Sequence, residues 1–224
     1  MKKLLLVLLA LPLLFSCGGS LDKERSSEMS DEIPVDGGNQ TAEDYFYKAN
    51  NYMYNGQYQL AIDNYTKCLK LETDDAKKAD AYYNRGIAYY NLKNYKAAIA
   101  DFTSALKINP DYAQAYNNRG NVYANLENYT AAIADFTSAL RIKPDYADAY
   151  NNRGLTYAKG LENYTAAIAD FTSAIRIDPD YADAYRNRGL SKAKSGQSSC
   201  SDYKRACDLG VEVCCEWYKE DNCR

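Results

Sequence analysis

The sequence predicts an all-α protein, a solenoid of stacked helix pairs, and three observations carry that prediction. The segment Glu127–Ala139 recurs letter for letter at Glu162–Ala174. The motif Pro-Asp-Tyr-Ala recurs at Pro110, Pro144 and Pro179, so that successive prolines are 34 and then 35 residues apart. Small and aromatic residues also recur at fixed places within each unit. A period of this length is typical of repeats that bury their apolar faces only by stacking on their neighbours.

Within the second, third and fourth units, the pattern is an aromatic residue, then Arg-Gly, then Tyr, followed by Ala, Phe and Pro, and the first unit is degenerate, with Thr73 where Pro is expected. The third unit shows it in Tyr116, Gly120, Tyr123, Phe136 and Pro144. This pattern resembles the tetratricopeptide repeat. The resemblance implies two antiparallel helices per unit and a right-handed superhelix. The predicted repeats span 42–78, 79–112, 113–146 and 147–181, and 182–196 is the first helix of a fifth.

The first residues predict export. Met1, Lys2 and Lys3 precede an apolar run, Leu4–Phe15, of 12 residues, which is typical of a secretory signal. The run is shorter than the about 20 residues that a membrane-spanning helix needs. Its end resembles the bacterial lipobox, which implies a signal peptide over 1–16 and a lipid, including palmitate, on Cys17. An ordinary signal peptide cut nearby is the alternative. Gly18 after the lipid site resembles sorting to the outer membrane, so we expect a lipid-anchored envelope protein.

Residues 17–41 predict a disordered tether between that anchor and the repeats. The segment is rich in Gly, Ser, Asp and Glu and carries few large apolar side chains. Such a composition buries too little apolar surface to offset the entropy lost on ordering.

Composition excludes several classes of function. The chain has no histidine, which removes histidine-based acid–base chemistry, Ser-His and Cys-His nucleophiles, and imidazole-ligated zinc. Its net charge is −3, and −5 once Lys2 and Lys3 are cleaved, so there is no electrostatic attraction to nucleic acid. No phosphate loop or carboxylate cluster stands out. We therefore expect no enzyme, no cofactor, no small-molecule substrate and no contact with the membrane beyond the lipid.

The first helices of tetratricopeptide repeats line a concave groove, and the resemblance places a column of asparagines there. An asparagine amide can both donate to and accept from one extended peptide unit. The column is similar to the asparagine ladder of the O-linked N-acetylglucosamine transferase, and it predicts peptide binding. Two alternatives remain open: in the first, the amides satisfy neighbouring helices or face water; in the second, the chain assembles through its solenoid edges. The candidate peptide-binding residues are Asn84, Asn118, Asn152 and Asn187, with Asn117, Asn121 and Asn151.

Two other sets of polar residues receive different interpretations. The dicarboxylate clamp of chaperone-binding repeats needs Lys and Arg where this chain has Phe46, Gln114 and Asn118, so we exclude it. Arginines replace the usual Leu before each repeat glycine, and we expect them to pair with aspartates of the second helices; ligand binding is the alternative. The expected arginines are Arg85, Arg119, Arg153 and Arg188, and the aspartates are Asp101, Asp135 and Asp170.

Five cysteines lie within the last 25 residues, and export makes disulfides the expected state. Gly210 predicts a turn between two short antiparallel helices. Residues equally distant from such a turn face each other, which pairs Cys207 with Cys215 and Cys200 with Cys223 and leaves Cys214 unpaired. The pairs would staple a helical cap over 197–224. A cysteine-only zinc or iron–sulfur site is the alternative.

Overall fold

The computed structural model describes residues 40–220, which form an all-α fold of eleven helices without a β-strand, as predicted. No helix in this range is both long and apolar enough to cross a bilayer. The helices are α1 Ala42–Tyr54, α2 Tyr58–Leu71, α3 Asp75–Asn91, α4 Tyr95–Ile108, α5 Ala113–Asn125, α6 Tyr129–Ile142, α7 Ala147–Gly160, α8 Tyr164–Ile177, α9 Ala182–Lys194, α10 Cys200–Asp208 and α11 Glu212–Glu220.

Successive helices pack as antiparallel pairs, and each second helix also packs on the first helix of the next pair. First helices touch the first helices of the adjacent repeats, in the series α1, α3, α5, α7 and α9. The second helices of adjacent repeats make no comparable contact within 40–220. The stack therefore curves with its first helices on the concave side, which confirms the predicted solenoid.

A glycine in each first helix sets the close packing of the pair. A Cβ atom on Gly120 would lie 2.8 Å from the ring of Phe136, nearer than real Cβ contacts come. Gly86 meets Phe102, and Gly154 meets Phe171, in the same way. Because the ring occupies the space a side chain would need, the glycine and the buried phenylalanine form one packing unit.

The fourth repeat accommodates its extra residue at the end of its first helix. Helix α7 has 14 residues where α5 has 13, and it ends at Gly160. A Cβ on Gly160 would lie 2.5 Å from the ring of Tyr129 in the preceding repeat. Glycine is therefore required at the inserted position, because the backbone packs directly against that ring.

Two features define the start of the repeats. The side chain of Thr41 accepts a hydrogen bond from the Asp44 amide, and Asp44 bonds back to the Thr41 backbone, which forms a capping box at α1. Helix α3 begins at Asp75, earlier than the predicted repeat boundary at 79, because Asp74 caps it through the amide of Lys77 at 2.9 Å. The predicted signal peptide, Cys17 and residues 17–39 of the tether lie outside the described residues.

Helix α10 lies within the predicted cap and also completes a fifth repeat. It packs on α9 as the second helix of a complete fifth repeat, with the Tyr203 ring 2.6 Å from the Cβ position of Gly189. Asp202 beside it binds Arg188, as the aspartates of earlier repeats bind theirs. Tyr203 stands where the second, third and fourth repeats have phenylalanine and the first has Tyr65, and the different spacing hid the match in the sequence. Among the described helices, α11 alone caps the end.

A disulfide links α10 to α11 as predicted. It joins Cys207 to Cys215, whose Cα atoms are 4.9 Å apart. Gly210, at φ +93°, makes the turn between the two helices. Cys200 is also disulfide-bonded, and its predicted partner Cys223 lies outside the described residues. Cys214 is an unpaired, buried thiol, as predicted.

The two buried thiols are expected to resist alkylation in the folded chain. Burial raises the pKa of Cys68 and of Cys214 from 9.0 to about 11. Since only the thiolate reacts, iodoacetamide at pH 8 should modify neither thiol until urea unfolds the chain, as judged by peptide mass spectrometry. The raised pKa also implies stability that is complete below about pH 9 and lost as the pH rises through about 11. Rapid labelling of either native thiol would contradict this burial.

Candidate functional site

The seven predicted asparagines lie on the first helices, along the concave side of the stack. We call the surface that they form the inner face. Asn84 is half-buried, and the other six are buried. The structure therefore brings the set together across four successive repeats. The members of the inner face are Asn84 on α3, Asn117, Asn118 and Asn121 on α5, Asn151 and Asn152 on α7, and Asn187 on α9.

Three of these amides join adjacent repeats by hydrogen bonds. Asn187 donates from Nδ2 to Oδ1 of Asn151 at 3.0 Å. Asn152 donates to Oδ1 of Asn117 at 3.1 Å, and Asn118 donates to the hydroxyl of Tyr83 at 3.0 Å. Each donor thus reaches back to the first helix of the preceding repeat. These three Nδ2 groups therefore satisfy hydrogen-bond acceptors on a neighbouring helix. Peptide contact by the seven asparagines stays a prediction.

The hydrogen bonds form one network that connects three first helices, α3, α5 and α7. Asn117 donates to Oδ1 of Asn118 at 3.4 Å, which joins the bond from Asn152 on α7 to the bond with Tyr83 on α3. A parallel bond runs from Nδ2 of Asn125 to the hydroxyl of Tyr90 at 2.9 Å. Sequence reasoning missed the tyrosine acceptors, although Tyr83 and Asn118 are separated by the same 35 residues as Tyr90 and Asn125.

Three buried side-chain atoms on the inner face have no hydrogen-bond partner among the described residues. They are Nδ2 and Oδ1 of Asn121 and Oδ1 of Asn152. Their residues are 0% and 1% exposed. A buried polar group without a partner costs about 1–3 kcal/mol. At the position of Asn121, the adjacent repeats have Ile87 and Leu155, so an aliphatic side chain fits there.

Tyrosine–aspartate bonds line one rim of the inner face. The hydroxyl of Tyr112 donates to Asp80 at 3.0 Å, and that of Tyr181 donates to Asp148 at 2.8 Å. Burial raises the pKa of Asp148, although the hydrogen bond from Tyr181 opposes the shift. Burial, with the nearby carboxylate, also raises the pKa of each tyrosine. Gln114, at the equivalent position between the two aspartates, is exposed at this rim.

The arginines of the first helices pair with aspartates as predicted. Arg119 binds Asp135 through two hydrogen bonds of 2.8 Å, and its third nitrogen donates to Thr103 of the preceding second helix at 3.0 Å. The hydrogen bonds to Asp135 raise the pKa of Arg119 against the effect of burial. The other pairs are Arg85–Asp101, Arg153–Asp170 and Arg188–Asp202. These guanidinium groups hold the second helices in place.

Three of the described cysteines at the C-terminal end are unsuited to bind a metal ion. Cys200, Cys207 and Cys215 are disulfide-bonded, so their sulfurs are not available as thiolate ligands. Between residues 40 and 220, no three acidic, cysteine or histidine side chains are grouped as a metal ion would require.

Comparisons with known proteins agree with this architecture. Models of the tetratricopeptide repeat match 42–75, 79–112 and 113–146, and a TPR repeat model matches 161–196. The chain is 40% identical over 72 residues to the small glutamine-rich tetratricopeptide repeat-containing protein 2 of Saccharomyces cerevisiae, which covers 32% of this chain and 20% of that protein. It is 33% identical over 82 residues to the photosystem I assembly protein Ycf3 of Acaryochloris marina, which covers 37% and 49%. The chain thus spans half or less of these relatives.

Solved structures show the same fold. MamA superposes with a TM-score of 0.65 at 24% identity, over 75% of this chain and 91% of that chain. YrrB, described as a TPR protein with an unusual peptide-binding site, superposes with a TM-score of 0.62 at 24% identity, over 80% and 92%. Taken together, the repeat matches cover more than half of the sequence. The chain belongs to the tetratricopeptide repeat proteins.

Proposed function

We propose that this protein is a membrane-tethered scaffold that holds an extended segment of a partner protein along its inner face. Proteins of this family bind proteins and peptides, and YrrB, which shares the fold, is described as having a peptide-binding site. The partner is a protein of the cell envelope or a peptide, and the scaffold itself performs no chemistry. Its role is to keep the partner in position at the membrane.

The amide composition of the inner face carries this proposal. Asparagine is mildly unfavourable inside a helix, yet four successive first helices place it on their concave side. Apolar residues would pack adjacent repeats equally well, as Ile87 and Leu155 do nearby. Amide groups instead provide both donors and acceptors for the backbone of an extended chain, largely independent of its side chains.

The tethering part of the proposal rests on the N-terminal sequence. The lipobox-like Leu14-Phe15-Ser16-Cys17 and the polar segment that follows support a lipid on Cys17 and a spacer of residues 17–41. We place the protein in the bacterial envelope, at the outer membrane, held through its lipid. The length of the spacer would let the repeats work at a distance from the bilayer.

A second candidate is a structural part that assembles through the edges of its solenoid. One observation favours it: Leu92, Leu126 and Leu161, at the turns after α3, α5 and α7, are 45%, 49% and 51% exposed. They form a regular apolar row along one edge. Association with other proteins or copies through this row would not involve the inner face.

Replacing Asn118 and Asn152 with alanine tests the proposal. The partner is first identified by crosslinking with mass spectrometry in the native envelope, and its Kd is then measured with purified proteins. The double variant should bind about 10- to 100-fold more weakly, because it removes two amides of the inner face together with the hydrogen bonds by which they hold adjacent first helices in position. Asn64→Ala is the matched control, since Asn64 is buried on α2 and its amide bonds only its own helix at 2.7 Å.

The two candidate functions predict opposite outcomes. An unchanged Kd for the double variant, together with loss of binding in Leu126→Asp and Leu161→Asp, would establish association through the solenoid edge and reject the inner face. Thermal unfolding of each variant shows whether it remains folded at the temperature of the binding assay.

A further inference from the structure

The unpartnered atoms of Asn121 and Asn152 belong to two adjacent first helices, α5 and α7, that contact each other. Asn117 and Asn121 are one helical turn apart on the same side of α5. Asn152 reaches this side from α7, where its Nδ2 bonds Oδ1 of Asn117 at 3.1 Å. Its own Oδ1 and both amide atoms of Asn121 remain without partners. The middle of the inner face thus holds one buried amide donor group and two buried carbonyl acceptors on two neighbouring first helices.

We infer that this cluster is a subsite for a primary carboxamide, the side-chain group of a partner's asparagine or glutamine. This inference rests on the proposed function, because it requires a segment on the inner face. The carbonyl of the carboxamide accepts from Nδ2 of Asn121. One of its N–H groups donates to Oδ1 of Asn121 and the other to Oδ1 of Asn152. All three unpartnered atoms are then satisfied.

Other groups complement the cluster less well. A carboxylate has no hydrogen to donate, and it would be repelled by two carbonyl oxygens in a buried site. A backbone peptide unit has a single N–H, which points away from its carbonyl. A water molecule would have to bend its bonds to reach both ends of one planar amide. A primary carboxamide forms two parallel bonds with Asn121 and still has one N–H for Asn152.

The aliphatic neighbours of this position give independent support. Ile87 and Leu155 occupy it in the adjacent repeats, and Leu155 is buried, so the packing does not require an amide at Asn121. An unsatisfied amide at such a position lowers stability without any structural return. Both asparagines are covered in the unbound chain, so binding involves a small displacement of the side chains or first helices above them.

Matched peptides test the subsite with the intact mature protein. The probes are Ac-Ala-Ala-Gln-Ala-Ala-NHMe and its Glu and Ala counterparts; the N-methylamide end avoids a second primary carboxamide. The Gln peptide should bind at least about tenfold more tightly than the other two and should shift the side-chain Nδ2 resonances of Asn121. Equal affinities for the three peptides would overturn the inference. So would Asn121 resonances that the Gln peptide leaves unshifted while a long-lived water contact persists beside them.

Asn121→Leu separates this subsite from the wider function. The variant should lose the preference for the Gln peptide and, because it removes an unsatisfied buried amide, should unfold about 2–8 °C higher than the native chain. Its folding is therefore not in question. If the natural partner bound this variant as tightly as the native chain while Asn118→Ala with Asn152→Ala lost binding, the subsite would be wrong and the proposed function would stand.

Discussion

Replacing Phe136 with alanine is expected to lower the free energy of unfolding by about 3–5 kcal/mol. The ring is fully buried and fills the space between the helices of the third repeat, against Gly120. Its loss leaves a cavity that the glycine cannot fill. Because each repeat is stabilised mainly by its neighbours, the loss of packing in the third repeat should also uncouple the unfolding of the repeats before it from that of the repeats after it. Denaturant unfolding followed by circular dichroism measures the effect.

Thr130→Ala is the control for Phe136→Ala, since Thr130 is exposed on the same helix and its loss should change stability by less than about 0.5 kcal/mol. Hydrogen exchange should show α5 and α6 losing protection before α1 and α2. A Phe136→Ala chain as stable as the control would mean that the glycine–phenylalanine unit does not hold the repeat together.

Asp135→Ala is expected to cost about 3 kcal/mol, the lower end of the range for breaking a buried ion pair. The side chains of Arg119 and Asp135 are only 17% and 9% exposed. Removing the carboxylate leaves the guanidinium with its bond to Thr103 as its remaining hydrogen bond to a side chain. The charge is then buried without a counterion, and urea unfolding should report the loss.

A second substitution tests the reason for that loss. Arg119→Leu combined with Asp135→Ala removes the stranded charge and leaves an aliphatic side chain at that position. The double variant should recover most of the stability that Asp135→Ala loses, since replacing both members of a buried pair is often close to neutral. If the double variant were less stable than Asp135→Ala alone, the penalty would not come from the unpaired guanidinium.

Much of the fold could be predicted from the sequence because the residues that pack the two helices of a repeat recur at fixed spacings within it. The spacing of Gly120 and Phe136 marks one helix pair, and the recurrence of that spacing marks the stack. The arginine–aspartate pairs followed from the same periodicity. The first helix of the fifth repeat was predicted, but its second helix was not, because Tyr203 lies closer in sequence to Gly189 than Phe136 does to Gly120, and α10 was therefore assigned to the cap.

The inner face was harder to predict because sequence gives the side of a helix and not the partner of an amide. The column of Asn118 and Asn152 could be placed on the concave side, but the hydrogen bonds to Tyr83 and Asn117 depend on how far adjacent first helices are offset. The sequence did mark Asn121 as unusual, because Ile87 and Leu155 occupy the same repeat position in the adjacent repeats. Whether its amide had a partner could be judged only from the packed structure.

The position of the partner on the solenoid tests the account most directly. A photoreactive amino acid is placed at Gln114, exposed at the rim of the inner face, or at Lys107, exposed on a second helix. Irradiation of cells that make the protein should give a covalent adduct from position 114, and sequencing should map it to one extended segment of an envelope protein. Adducts from position 107 and none from 114 would show that the partner binds outside the inner face.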